Sequence, residues 1–162
     1  INILGQTSFW FGFISYIILL PIVIYRVIKV KEIPEPVKPT LIIFAAPASL
    51  LLAAYMNSFE VKNLLIIYLL MIISILMYLY AIIMLINLIK LKFYPSFSGF
   101  TFPLVISAIA MKLTNAYFIK IGSHINILIN LIKFQEFIAI TVTLYVLLKY
   151  MIFMFGHMKA KA

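Results

Sequence analysis

Five long apolar runs dominate this sequence and restrict what it can fold into. They cover residues 8–27, 40–56, 64–89, 98–119 and 127–155. An α-helix needs roughly 20 apolar residues to cross the hydrocarbon core of a bilayer, and each run is near or above that length. Only 10% of the residues are charged, compared with about a quarter in soluble domains. The sequence therefore predicts an all-α integral membrane protein with five transmembrane helices surrounded by membrane lipid.

The residue types that build most catalytic and metal sites are scarce. The chain has no cysteine, which excludes disulfides, thiolate metal sites and cysteine nucleophiles. Aspartate is absent too, and the acidic residues are Glu32, Glu35, Glu60 and Glu136. His124 and His157 lack neighbouring metal ligands, and no nucleophile with a base, no paired carboxylates and no Gly-rich phosphate loop can be assembled. We therefore predict no enzymatic activity, no metal and no cofactor.

The positive charges predict how the helices are oriented. The net charge is +9, but the Lys and Arg residues lie in short clusters between the apolar runs, which favours membrane topology over a nucleic-acid partner. One predicted side holds Arg26, Lys29, Lys31, Lys38, Lys90, Lys92, Lys159 and Lys161, and the other holds Lys62, Lys120 and Lys133. By the positive-inside rule the first side is cytoplasmic. The sequence thus predicts a multi-pass protein of the cytoplasmic membrane with its C-terminus in the cytoplasm.

The second and fourth apolar runs align without a gap at an offset of 56 residues. The matched pairs are Pro39 with Pro95, Thr40 with Ser96, Phe44 with Phe100, and Pro47 with Pro103. Two prolines with the same spacing therefore occur twice. We interpret this as a repeated helical hairpin, in which a kinked helix is followed by a straighter apolar one. Internal repeats of this kind are frequent in transporters.

Each kinked helix is expected to bend at its inner proline. Pro47 removes the hydrogen bond to the Ile43 carbonyl, and Pro103 removes the bond to Gly99, so each leaves a carbonyl without its helical partner. Such carbonyls are tolerated where protein or a water-filled cavity satisfies them, which favours a place inside the protein or along a pore. The alternative is that the prolines only shape helix packing. Residues 32–39, which carry three prolines, are predicted as a connector that cannot continue a helix.

One aromatic residue in the fourth run could obstruct such a pore. Phe102 corresponds to Ala46 in the repeat, so a pore lined by both helices would be open at one and blocked at the other. Phe102, Ile106 and Ile109 share one helix face, which is equally consistent with ordinary apolar packing. Lys112 lies ten residues beyond Phe102, where it could attract anions or extend its ammonium group to the membrane surface. Glu136 could pair with Lys133 three residues earlier on the same helix.

Two segments resemble a known family of membrane transporters. Residues 39–55, PTLIIFAAPASLLLAAY, and residues 93–103, FYPSFSGFTFP, are similar to the tellurite-resistance/dicarboxylate transporter family, which includes bacterial TehA and the plant slow-type anion channels. The resemblance implies ten helices in five hairpins around a central pore, with kinked odd-numbered helices lining it, and a homotrimeric assembly. This chain resembles helices six to ten. Since it also begins at Ile1, we expect a piece of a longer protein that lacks the five N-terminal helices.

The resemblance also implies roles for individual residues. A phenylalanine in the ninth helix of the family plugs the pore, and Phe102 occupies the matching position. The matching pore positions of the seventh helix lie near Phe44, Pro47 and Leu51. The expected function is passage of small anions through a pore gated by Phe102. Alternatives are a coupled carrier of C4-dicarboxylates or of a tellurite-type oxyanion, and a non-transporting truncated half or assembly subunit.

Overall fold

A computed structural model describes residues 2–29 and 33–159 of the chain. The α-helices are α1 (Asn2–Lys29), α2 (Ala46–Ser58), α3 (Leu64–Leu88), α4 (Thr101–Lys120) and α5 (Asn126–Lys159). A first 3₁₀ segment (Glu35–Ala45) leads into α2, and a second 3₁₀ segment (Pro95–Phe100) leads into α4. In the described part of the chain, five helical stretches are long and apolar enough to cross a membrane. The predicted all-α membrane fold is confirmed.

The prolines are accommodated by a change of helix type rather than by an open kink. Pro47 is the second residue of α2, and Pro103 is the third residue of α4. A proline in the first turn of an α-helix removes no hydrogen bond of that helix, because the N–H groups there have no acceptor within the helix. The Ile43 carbonyl, predicted to lose its partner, accepts a hydrogen bond from the Ala46 N–H. That prediction is wrong because the 3₁₀ turn supplies a donor one residue before the proline.

The proline-rich stretch is likewise helical over its second half. The stretch does not continue α1, which ends at Lys29, but the predicted connector is shorter than residues 32–39 because a new 3₁₀ segment, which contains Pro36 and Pro39, begins at Glu35. Proline fixes φ near −65°, which lies within the 3₁₀ range. Pro36 is in the first turn, where a missing N–H costs nothing.

The two 3₁₀ segments pack against each other at unusually close range. A Cβ atom on Gly99 would lie 3.3 Å from the Pro39 carbonyl oxygen and 3.3 Å from Ile43 Cδ1. At the same end, the Ser96 hydroxyl donates to the Pro36 carbonyl. Glycine at position 99 therefore permits the contact that joins the two repeats.

Helices α2 and α4 form the inner pair of the bundle, and α1, α3 and α5 lie around them. Helix α3 packs on α2 and the first 3₁₀ segment, while α5 packs on α4 and the second 3₁₀ segment. Helix α1 packs on α2 through Phe9, and the centroids of the Phe9 and Tyr55 rings are 5.2 Å apart. Much of the remaining surface of α1 is exposed apolar side chain.

Each inner helix is fastened to the outer helix that follows it by a buried polar pair. The hydroxyl oxygens of Ser49 on α2 and Ser74 on α3 are 2.7 Å apart and share a hydrogen bond. Gln135 Nε2 on α5 donates to Ser107 Oγ on α4 over 3.3 Å. Hydrogen bonds between helices in lipid are worth about 0.6–2 kcal/mol. The two hairpins thus share one plan, with an inner helix, an outer helix and a polar tie between them.

The 3₁₀ segments begin at the end of the bundle that carries Lys38, Lys90 and Lys92, which we call the cation-rich end. Tyr94 Oη donates to Glu35 Oε1 over 3.0 Å, and this hydrogen bond raises the pKa of Tyr94. The Tyr150 hydroxyl donates to the Pro95 carbonyl and brings the last part of α5 to the same end. Lys31, Lys161 and Glu32 lie outside the described residues, as do the side chains of His157 and Lys159.

We predict that Gly99→Val destabilises the protein, because its side chain would press on the Pro39 carbonyl and on Ile43. Overpacking of this kind lowers the free energy of unfolding by about 1–3 kcal/mol. The matched control is Gly156→Val, because nothing lies within 4 Å of a Cβ at that position. Unfolding in detergent followed by circular dichroism measures both variants. Equal stability of the two would show that the close approach at Gly99 is not required.

Candidate functional site

An apolar stripe on α4 is exposed along its length. Phe102, Val105 and Ile109 are exposed by 50%, 37% and 45%, and the exposed Lys112 follows them. Their spacing of three, four and three residues places them on one helix face. This stripe, which we call the α4 face, is the candidate functional surface.

Phe102 differs from the other phenylalanines near it. Phe97 and Phe100 are completely buried, and their rings pack against each other with centroids 4.8 Å apart. Pro103 and Leu104, which follow Phe102, are buried as well. Phe102 is thus half exposed, while the buried residues next to it hold the backbone in place. Its ring contributes less to the packing of this chain than the rings of Phe97 and Phe100 do.

The remaining predicted residues of α4 lie on or beside the α4 face. Ile109 is on it, and Ile106 is half-buried at its edge. The structure therefore brings Phe102, Ile106 and Ile109 to one side of α4, as their spacing suggested. What this surface does is a separate question.

The predicted residues of the first inner span, in α2 and the 3₁₀ segment before it, do not form an equivalent surface. Ala46 and Leu51 are 3% and 7% exposed, and this burial argues against their lining a pore. Phe44 and Pro47 are half-buried and line a cavity of about 310 Å³ together with residues of α1. The span that contains α2 is more deeply buried within the protein than the span that contains α4, so positions matched by the sequence repeat are not equally exposed.

Two residues that were not predicted are exposed instead, one in the first 3₁₀ segment and one in α2. Ile43 and Leu50 are 42% and 48% exposed, with the half-buried Pro47 between them on the same face. Ile43 lies beside Gly99, so it borders the segment that leads to Phe102. The helical spacing of Ile43, Pro47 and Leu50 is visible in the sequence, whereas their exposure depends on which helices pack around them.

Lys112 is paired with a carboxylate. Its Nζ lies 2.8 Å from Glu136 Oε1 on α5, and the two side chains are 69% and 39% exposed. The predicted partner of Glu136 was Lys133 on its own helix, and that prediction is corrected: the packing of α4 on α5 brings Lys112 closer. The pair borders a groove of about 560 Å³ between α4 and α5, whose other lining residues are Val105, Ala108, Ile109, Ala139, Ile140, Thr143 and Leu144.

The contrast between Phe100 and Phe102 predicts different effects of truncation. Phe100→Ala removes a completely buried ring and should lower the free energy of unfolding by about 3 kcal/mol or more. Phe102→Ala removes a half-exposed ring and should lower the free energy of unfolding by about 1 kcal/mol or less. Thermal unfolding of the two variants in detergent tests this. A large loss for Phe102→Ala would mean that its ring is part of the core.

Comparison with known proteins identifies the family. The model of the voltage-dependent anion channel family matches residues 1–158, which include all five membrane-spanning stretches. No curated protein and no solved structure matches the chain. The family match confirms the resemblance to the tellurite-resistance transporters and slow-type anion channels. It indicates a multi-pass membrane protein with anion channel or transporter function. The chain belongs to the voltage-dependent anion channel family.

Proposed function

We propose that this chain forms part of a pore through which small anions cross the cytoplasmic membrane, and that the ring of Phe102 gates it. The observation that supports this most directly is the exposure of Phe102 on the α4 face, since the neighbouring Phe97 and Phe100 are fully buried. A ring that is half exposed has fewer contacts to lose when it changes rotamer than a buried one. Because buried Pro103 and Leu104 hold the backbone, such a movement would not disturb the helix.

The proposed pore surface combines the exposed stripes of the two inner helices. On α4 it comprises Phe102, Ile106 and Ile109. On the other inner span it comprises Ile43 of the first 3₁₀ segment and Leu50 of α2. This lining is almost entirely apolar. Selectivity in such a pore would depend on partial dipoles and a weak positive potential rather than on a ring of charges. Apolar linings of this type close readily when an aromatic side chain narrows them.

The proposal includes the assembly and the orientation implied by the resemblance. The complete pore would contain ten helices, of which this chain supplies the sixth to the tenth, and three copies would form a homotrimer. The exposed apolar surface of α1 supports this, because further helices could cover it. The cation-rich end with Lys38, Lys90 and Lys92, and with it the C-terminus, would be cytoplasmic.

Removing the proposed gate should increase conductance. In the complete protein, Phe102→Ala is expected to raise chloride current roughly tenfold or more, since a barrier reduction of only about 1.4 kcal/mol gives that factor. Planar bilayer or oocyte recording measures it. The control is Phe137→Ala, which removes a ring exposed by 69% on α5 outside the α4–α5 groove. If Phe102→Ala leaves the current unchanged, Phe102 is not the gate.

Passive conduction predicts that anion flux follows the electrochemical gradient. In liposomes containing the complete protein, the reversal potential should shift with the chloride gradient and should not depend on a proton or sodium gradient. Accumulation of a C4-dicarboxylate or of tellurite against its own gradient would instead favour a coupled carrier. Absence of both flux and trimers would favour an assembly subunit that transports nothing.

A further inference from the structure

The ion pair between Lys112 and Glu136 lies well inside the membrane-spanning part of the bundle. Lys112 is eight residues before the end of α4 at Lys120, which is about 12 Å along the helix axis. Glu136 is ten residues after the start of α5 at Asn126, or about 15 Å. Each group therefore lies more than two helical turns inside a stretch that is long and apolar enough to cross a membrane.

The surroundings of this pair do not explain it as a packing feature. Apart from Thr143, the side chains that line the groove with it are apolar, and both charged side chains keep substantial exposure. Charged groups at this depth are costly against lipid and usually face the protein interior or a water-filled cavity. Lys112 also shares the α4 face with Phe102 and Ile109. The pair is thus placed beside the proposed anion pathway.

The pairing changes what Lys112 can do there. A free ammonium group on the α4 face would attract anions, whereas one held 2.8 Å from a carboxylate belongs to a pair with no net charge. An anion approaching Lys112 must compete with Glu136 for the same N–H donors. Lys133, the other charged residue near Glu136 along α5, is exposed one turn earlier on that helix.

We propose that Glu136 is a specificity-determining residue of the anion pathway: it is an internal counter-ion that neutralises Lys112 and so sets how strongly the α4 face attracts small anions. This inference rests on the proposed function, since it requires that anions pass the α4 face. It gives a role to a carboxylate that would otherwise repel the transported ion. It also predicts that removing each member of the pair has an effect of opposite sign.

The experiment measures chloride current and the chloride-to-cation permeability ratio of Glu136→Gln and Lys112→Gln. Both are made in the complete protein, in the native background and in the Phe102→Ala background. Glu136→Gln leaves Lys112 unpaired and should raise the permeability ratio about fivefold, the effect of one unit charge at about 4 Å in water. Lys112→Gln leaves Glu136 unpaired and should lower the ratio by a similar factor.

Two further variants separate charge from structure. The exchange Lys112→Glu with Glu136→Lys keeps the pair and should return the ratio close to its native value. Lys133→Gln removes a positive charge near Glu136 without breaking the pair, and should change the ratio much less than Lys112→Gln. Gel filtration of each variant establishes that the assembly is intact.

The outcomes distinguish this inference from the proposal on which it rests. If Phe102→Ala conducts chloride and the Glu136 and Lys112 variants shift the ratio in the same direction or not at all, the inference is overturned and the pore stands. If the ratio moves in opposite directions while Phe102→Ala leaves the current unchanged, the inference stands and the gate fails. Absence of chloride flux in both backgrounds would overturn both.

Discussion

The structure depends on the requirement that every backbone polar group in a membrane finds a partner within the protein. This chain places three prolines in its first inner span and two in its second, and each proline removes a donor. It satisfies the requirement by beginning each inner span as a 3₁₀ helix and changing to an α-helix just before the last proline of the span. The carbonyl of Ile43 illustrates the result, because it bonds to the Ala46 N–H although Pro47 has none to offer.

Buried and exposed aromatic side chains lie close together at the second of these junctions. The two 3₁₀ segments pack closely through Gly99 and Pro39. Phe97 and Phe100 of the second segment form part of the core. Phe102, just past the junction, is exposed by half. The residue with the proposed gating role is therefore positioned by the same junction that satisfies the backbone.

The charges on the α4 face follow from a second contact, between α4 and α5. Without it, Lys112 would be a lone cation in an apolar span, which is unfavourable in lipid. The Lys112–Glu136 pair offsets that cost, while the buried bond between Ser107 and Gln135 ties the same two helices nearby. Apolar lining and balanced charge together are compatible with an anion pathway that does not hold its ions tightly.

The sequence by itself determined the membrane-spanning all-α fold, the repeat of an inner and an outer helix, and the family. These depend on the length of the apolar runs and the positions of prolines, which are local properties of the chain. It also indicated that Phe102, Ile106 and Ile109 share a helix face, because helical spacing alone places them there. The tertiary structure decided which faces are covered: Ala46 and Leu51 are buried and Ile43 and Leu50 exposed, because burial depends on which helices surround α2. Only the packing of α4 against α5 could show that Lys112 pairs with Glu136, since a separation of 24 positions in the sequence does not reveal that Nζ and Oε1 are 2.8 Å apart.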